Sequence, residues 1–267
     1  MSFRRTLSVA SVAAAFVLSI FMTAQPLKAA RVTPMVAEIE PSGTGSTLRL
    51  EVSNSEDRAI PFEITMHRGI ISEDGTVTLE PADDRFVVFP PQTVLQPQGQ
   101  QVFRIQYIPD GSTNQSEIFY ASVSQVPVAL SEDESRIQML MRFNVLINVV
   151  PRGTQAEPKV EWIRTAERVV PLSEEEAEVA EEGVETKTVS GIEVRISNSG
   201  DRYFGAGQTN WAIKGTTLEG SPFEQRFSDS EVRLNTGLGI VAPSKARIFF
   251  IPLEQSLDPD SVEIEFQ

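Results

Sequence analysis

The chain has 267 residues, no cysteine, one histidine and a formal net charge of −14. That length accommodates two domains of ordinary size. Without cysteine there is no disulfide and no thiolate zinc site. With His67 alone there is no multi-histidine metal centre, and a Ser-His-Asp triad has a single imidazole to draw on.

The first 30 residues read as an export signal. Arg4 and Arg5 form a basic start, "LSVASVAAAFVLSIFM" an apolar middle and "AQPLKAA" a small-residue end. Serines within the apolar run and the small-residue stop fit a signal peptide over 1–30, cleaved after Ala29 or Ala30, better than an uncleaved anchor. Cleavage removes Arg4, Arg5 and Lys28 and no acid, so the charge of −14 falls by three to −17. So acidic a chain opposes binding to nucleic acid or anionic lipid. Export without cysteine points to a periplasmic protein that does not rely on oxidative folding.

The elements that follow are strands. "STLRLEVSN" sets Leu48, Leu50 and Val52 against Arg49, Glu51 and Ser53, and "IPFEITMHRG" sets Phe62, Ile64 and Met66 against Glu63, Thr65 and His67. "TVTLE", "DRFVVFPP", "QVFRIQYI" and "EIFYASVSQVP" continue the series, each short and bounded by turn residues. Short strands at this spacing indicate β-sandwiches. "SRIQMLMRFNVLINVVPRG" is different, because Ile137, Met139, Met141, Phe143, Val145, Ile147 and Val149 hold every second position. That is about twice an ordinary strand, so part of it should overhang its own sheet.

"PRGTQAEP" is a Pro/Gly-punctuated linker, with 153–157 at its centre. Beyond it, "KVEWIR", "GIEVRISNSG", "QTNWAIKG", "EVRLN", "ARIFFIP" and "VEIEF" read as strands. The acidic run "PLSEEEAEVAEEGVETKT" reads as a solvated hairpin loop rather than a short helix, because like charges resist packing. Both halves carry Ser-Asn-Ser after an alternating strand, at Ser53–Ser55 and Ser197–Ser199, as two sandwiches of related design would.

Catalytic chemistry is sparse. His67 falls on the polar face of its strand and reads as an exposed strand histidine. Asp83 and Asp84 in "PADDR" lack the further spaced oxygen ligands that calcium needs, and read as a turn. No metal site, cofactor or small-molecule substrate is expected, and a hydrolase is a distant alternative. The functional material is therefore strand: a long alternating edge can pair with another chain, and an uncovered one is otherwise an aggregation hazard.

"RFVVFPPQTVLQPQGQQVFRIQYI" resembles the most recognisable segment of the PapD-like periplasmic pilus chaperones. It carries Phe86, Pro90 and Pro91, then Leu95, Gly99 and Gln100, then Phe103, Arg104 and Ile105. "NQSEIFYASVSQVPV" is similar to that family's next block, with Ser116, Glu117, Phe119, Val126 and Pro127, and the long strand follows in family order. "VRISNSGDRYF" and "IVAPSKARIFFIPL" resemble its second half more loosely.

The resemblance implies an all-β chain of two immunoglobulin-like β-sandwich domains at an angle, with a cleft between them. The domains would be 31–152, bearing a long donor strand, and 158–267. It implies a chaperone that lends its long strand to pilin-like subunits and hands them to an outer-membrane usher. The donated residues would be Ile137, Met139, Met141 and Phe143, each worth roughly 1.5–3 kcal/mol if fully buried. Leu140 and Leu146, on the opposite face, would pack on the chaperone's own core. Methionine suits a groove that must accept more than one subunit.

The family holds a subunit's C-terminal carboxylate with two basic cleft residues. Those positions fall on Leu146 and near Met35 or Val36, and none is basic. The anchor would move to Arg104 or Arg142, or be absent. "SVEIEFQ" also lacks the family's Asn-Asp-x-Gly ending. The competing reading is a static periplasmic sandwich with a structural or adhesive role, in which the long edge is covered.

Overall fold

The computed structural model describes residues 30–111, 114–127, 139–180 and 183–267. The expected export signal, apart from Ala30, and Ile137 lie outside these residues. In the first half the strands are β1 (Ala30–Thr33), β2 (Val36–Ile39), β3 (Thr47–Asn54), β4 (Ile60–Ile71), β5 (Val77–Pro81), β6 (Phe86–Phe89), β7 (Gln92–Leu95), β8 (Gln100–Tyr107), β9 (Glu117–Gln125) and β10 (Arg142–Val149).

Alternation decides their faces. On β3, Leu48, Leu50 and Val52 are buried while Arg49 and Glu51 are exposed, as a period of two requires. One sheet runs β1-β3-β8-β6; the other runs β2-β10-β9-β4-β5, with β7 also on β4. In strand order this is the ABED-against-CFG arrangement of an immunoglobulin sandwich. The first strand serves both sheets: β1 pairs antiparallel with β3, and β2 pairs parallel with β10. Pro34 lies at the switch and has no N–H to continue a ladder. Leu50, Phe62, Phe103, Ile105, Phe119 and Ile147 are fully buried between the sheets.

The second half contains β11 (Pro158–Pro171), α1 (Glu174–Val179), β12 (Thr186–Asn198), β13 (Phe204–Gly205), β14 (Trp211–Thr216), β15 (Pro222–Phe227), α2 (Asp229–Thr236), β16 (Ile240–Val241), β17 (Lys245–Pro252) and β18 (Glu263–Phe266). Its sheets run β11-β12-β17 and β15-β14-β18, with β13 paired to β16. Ile192, Val194, Ile196, Trp211, Ile213 and Phe249 form its core.

Two local expectations are corrected. "EVRLN" lies in helix α2, not a strand. Ser228 and Glu231 form a reciprocal capping box, and Gly237 ends the helix at φ +62°, which fixes a helix of this length at both ends. Val232 is buried and Leu234 exposed, so the alternation that suggested a strand places only one side chain inside. The acidic run is a hairpin connection that does contain a helix, α1. Ser173 and Glu176 form a second capping box, and Lys187 on β12 pairs with Glu176. Bonds from Lys187 and Ser173 hold the Glu176 carboxyl down at about 2. The helix N-terminus favours the acids of its first turn, which offsets their mutual repulsion.

The repeated Ser-Asn-Ser has one job in both sandwiches. Asn54 is 1% exposed; its Nδ2 donates to Arg58 O at 2.7 Å and to Leu95 O at 3.2 Å, and its Oδ1 accepts from Glu56 N. Asn198, equally buried, donates to Arg202 O at 2.7 Å and Val241 O at 3.2 Å, and accepts from Gly200 N and Glu157 N. Each amide closes its own turn and ties it to a distant loop. Asn54→Ala and Asn198→Ala are each expected to lower stability by about 1–3 kcal/mol, because buried carbonyls lose their donor. Urea midpoints measure this, and an unchanged midpoint would rule out the role.

Candidate functional site

β10 is the strand of interest. It pairs antiparallel with β9 along Arg142–Val149 but parallel with β2 only along Leu146–Val149. Among the described residues, Arg142–Val145 therefore has a strand partner on one side alone. Met139–Met141 lead into it, and Met141 O accepts from Gln125 N at 3.0 Å on the β9 side. Among the described residues no strand pairs with the opposite edge of this stretch.

The apolar face of β10 leaves its own core gradually. Val145, Ile147 and Val149 are fully buried, Met141 and Phe143 are half-buried against the same core, and Met139 is 77% exposed. The large side chains at Met139, Met141 and Phe143 thus line this backbone edge. Their neighbours Leu140 and Leu146 do not pack on that core, which corrects the expectation for that face. Leu140 is exposed, and Leu146 lies between the sandwiches with Ile118, Val150, Tyr203 and Ile240. With Val145, Ile147 and Val149 pointing inward, a period of two turns Leu146 and Val150 outward, where the second sandwich covers them.

The two positions that the resemblance marks as basic do meet. Leu146 and Val36 are direct partners in the β10–β2 ladder, so the neighbourhood is apolar. Arg142 shares the outward face with Leu146, roughly 13 Å further along the strand, and its Nε donates to Ser124 Oγ at 3.1 Å. Arg104 is elsewhere. It is exposed on β8, across from Arg49 and Phe89 in the sheet that contributes nothing to the inter-sandwich cluster. The two arginines are not brought together.

His67 is half-buried rather than exposed, because β9 brings Ser122 beside it. Its Nδ1 is 3.4 Å from Ser122 Oγ, and that hydroxyl donates to Asn144 Oδ1 at 2.8 Å. With the hydroxyl proton directed to an amide, the imidazole is not placed as its general base. Asp83 accepts from Met66 N at 2.8 Å and begins a single 3-10 turn.

Sequence reasoning missed the residues that join the sandwiches. Ser116 bonds Asp201 O through its N–H at 2.8 Å and accepts from Tyr203 N at 2.6 Å. Glu38 accepts from Arg202 at 2.6 Å and from the Tyr203 hydroxyl at 3.1 Å. Burial, then the Glu38 charge, raises the Tyr203 phenol above its ordinary value. Arg247 is half-buried over the Phe249 ring, and burial lowers it. An open cavity of about 720 Å³ lies between the sandwiches, lined by Ile70, Ser72, Glu73, Arg195, Ser197 and Lys245. Glu38 and Arg202 are 164 positions apart, so no local pattern could have announced the pair.

Residues 31–155 match the family model of the pili and flagellar-assembly chaperones, PapD N-terminal domain. No curated protein matches the sequence. Among solved structures, the class 5 fimbriae chaperone CfaA is 10% identical, with a TM-score of 0.51, over 90% of this chain and 99% of its own. A chain from the chaperone–tip adhesin complex of CFA/I fimbriae biogenesis is 11% identical, with a TM-score of 0.50, over 90% of this chain and 98% of its own. The likeness to both is one of fold, and it spans both sandwiches. Over residues 31–155 the chain is thus similar to the N-terminal domain of the PapD-like pilus chaperones.

Proposed function

We propose that this protein is a periplasmic chaperone for pilus assembly that holds pilin-like subunits by lending them the edge of β10. The observation that carries the reading is the mismatch of ladders: β2 covers only Leu146–Val149 of β10, while β9 covers all of it. An incomplete sandwich could pair with the uncovered edge and receive Met139, Met141 and Phe143 in its groove, with Ile137 ahead of them. Backbone bonds supply affinity and the alternate side chains supply register. The reading involves no catalytic step, cofactor or small-molecule substrate. Residues 1–30 would be cleaved on export, and 153–157 would link domains 31–152 and 158–267. An outer-membrane usher would receive the loaded complex. Arg142 would be the partner for a subunit carboxylate, since its face turns toward the second sandwich and that of Arg104 does not.

Amide hydrogen exchange on the protein, alone and with a co-expressed pilin-like subunit, tests this. Binding should slow exchange along Met139–Val145 and leave β5 unchanged. A complex that forms without protection of that edge would place the contact elsewhere.

A further inference from the structure

Apolar contacts in the middle and polar bonds toward both ends span the two sandwiches; Ser116 adds two bonds to the Asp201–Tyr203 segment that Glu38 also holds. Sheet order places β2 at one end of the β2-β10-β9-β4-β5 sheet and the β4–β5 turn at the other. The middle is apolar: Leu146, Val150, Ile118 and Ile71 meet Tyr203 and Ile240. At the β2 end Glu38 holds Arg202 and the Tyr203 hydroxyl. At the far end Glu73 takes two bonds from Arg195, at 2.7 and 3.3 Å, and its carbonyl accepts from Ile248 N at 2.7 Å on the edge of β17. Gly75 follows at φ +88°, and a side chain there would come within 2.5 Å of the Arg247 guanidinium. The turn is therefore fitted closely to β17.

We infer that Glu38 and Glu73 are positioning residues, two polar latches at opposite ends of an apolar pivot that together fix the angle between the sandwiches. Apolar contact is non-directional, so the central cluster holds the bodies together without choosing their tilt. Directional bonds on one side alone would leave the other side free to open. Exposed ion pairs add little to stability, but selecting one tilt among several of similar energy requires little. The latch at β2 borders the edge of β10 that β2 leaves unpaired, so its state sets the space beside that edge; this consequence rests on the chaperone reading, whereas the latches themselves do not.

The absence of cysteine makes the test direct. Spin labels at Thr78→Cys and Gln255→Cys report the β5 side, and labels at Thr44→Cys and Gln255→Cys report the β2 side, by pulsed electron resonance without any client. Glu73→Arg should lengthen and broaden the 78–255 distance more than the 44–255 distance. Glu38→Arg should do the reverse. The swaps Glu73→Arg with Arg195→Glu, and Glu38→Arg with Arg202→Glu, should restore the narrow distributions, which damage to either sandwich would not allow. Unchanged distances in the single variants, equal changes on both sides, or no rescue by the swaps would each overturn the proposal.

Discussion

Glu117→Ala is expected to destabilise the first sandwich by about 3 kcal/mol, the lower end of the cost of breaking a buried ion pair. Arg85 has a side chain only 7% exposed, and its Nη2 contacts Glu117 Oε2 at 3.0 Å. The same carboxylate accepts from the Tyr107 hydroxyl at 2.5 Å and from Arg68 at 2.9 Å. Burial pulls the Arg85 guanidinium down, and Glu117, Tyr107 and Asp110 more than offset it, so its pKa lies above the ordinary value. Removing the carboxylate strands two arginines over the Phe119 ring, at 5.2 and 5.6 Å from its centroid. Asp110 still pairs with Arg85 at 2.9 Å but is largely exposed, which keeps the loss from being larger. Tyr107→Phe removes the hydroxyl that donates to Glu117 and accepts from Arg85, and should cost about 1–2 kcal/mol. Urea unfolding with matched slopes measures both, and a Glu117→Ala loss no larger than that of Tyr107→Phe would show that the network does not act as a buried pair.

Much of this architecture is legible in the sequence because sheets have a strict period. Leu48, Leu50 and Val52, or Phe62, Ile64 and Met66, announce both a strand and its inward face, and the structure buries each of them. Legibility fails where two faces are both apolar. On β10 the sequence shows Val145, Ile147 and Val149 interleaved with Leu146 and Val150, and alternation cannot say which set belongs to the sandwich and which to the domain junction. It fails again in α2, where Val232 and Leu234 alternate as in a strand while the deciding signals, Ser228 with Glu231 and then Gly237, sit at the ends. The latches were out of reach altogether. A glutamate in a turn, such as Glu73, looks like any solvated acid until the fold brings Arg195 to it across 122 positions.

The β10 edge itself offers the sharpest separation of folding from function. Met139 is 77% exposed, so Met139→Asp removes almost no contact from the protein's own core and should leave its unfolding midpoint in place. Met141→Asp is a less clean probe, because Met141 packs partly on that core. In a subunit groove the new carboxylate would lose its water without gaining a partner. The effective penalty for an unpaired buried charge is several kcal/mol. Even about 3 kcal/mol is about a hundredfold in affinity, enough to abolish recovery of a co-expressed pilin-like subunit. Met139→Leu, which keeps the apolar bulk, should retain capture. Equal recovery with Met139→Asp and with the wild-type chain would mean that this side chain never enters a groove, and register would then have to be set by Met141 and Phe143 alone.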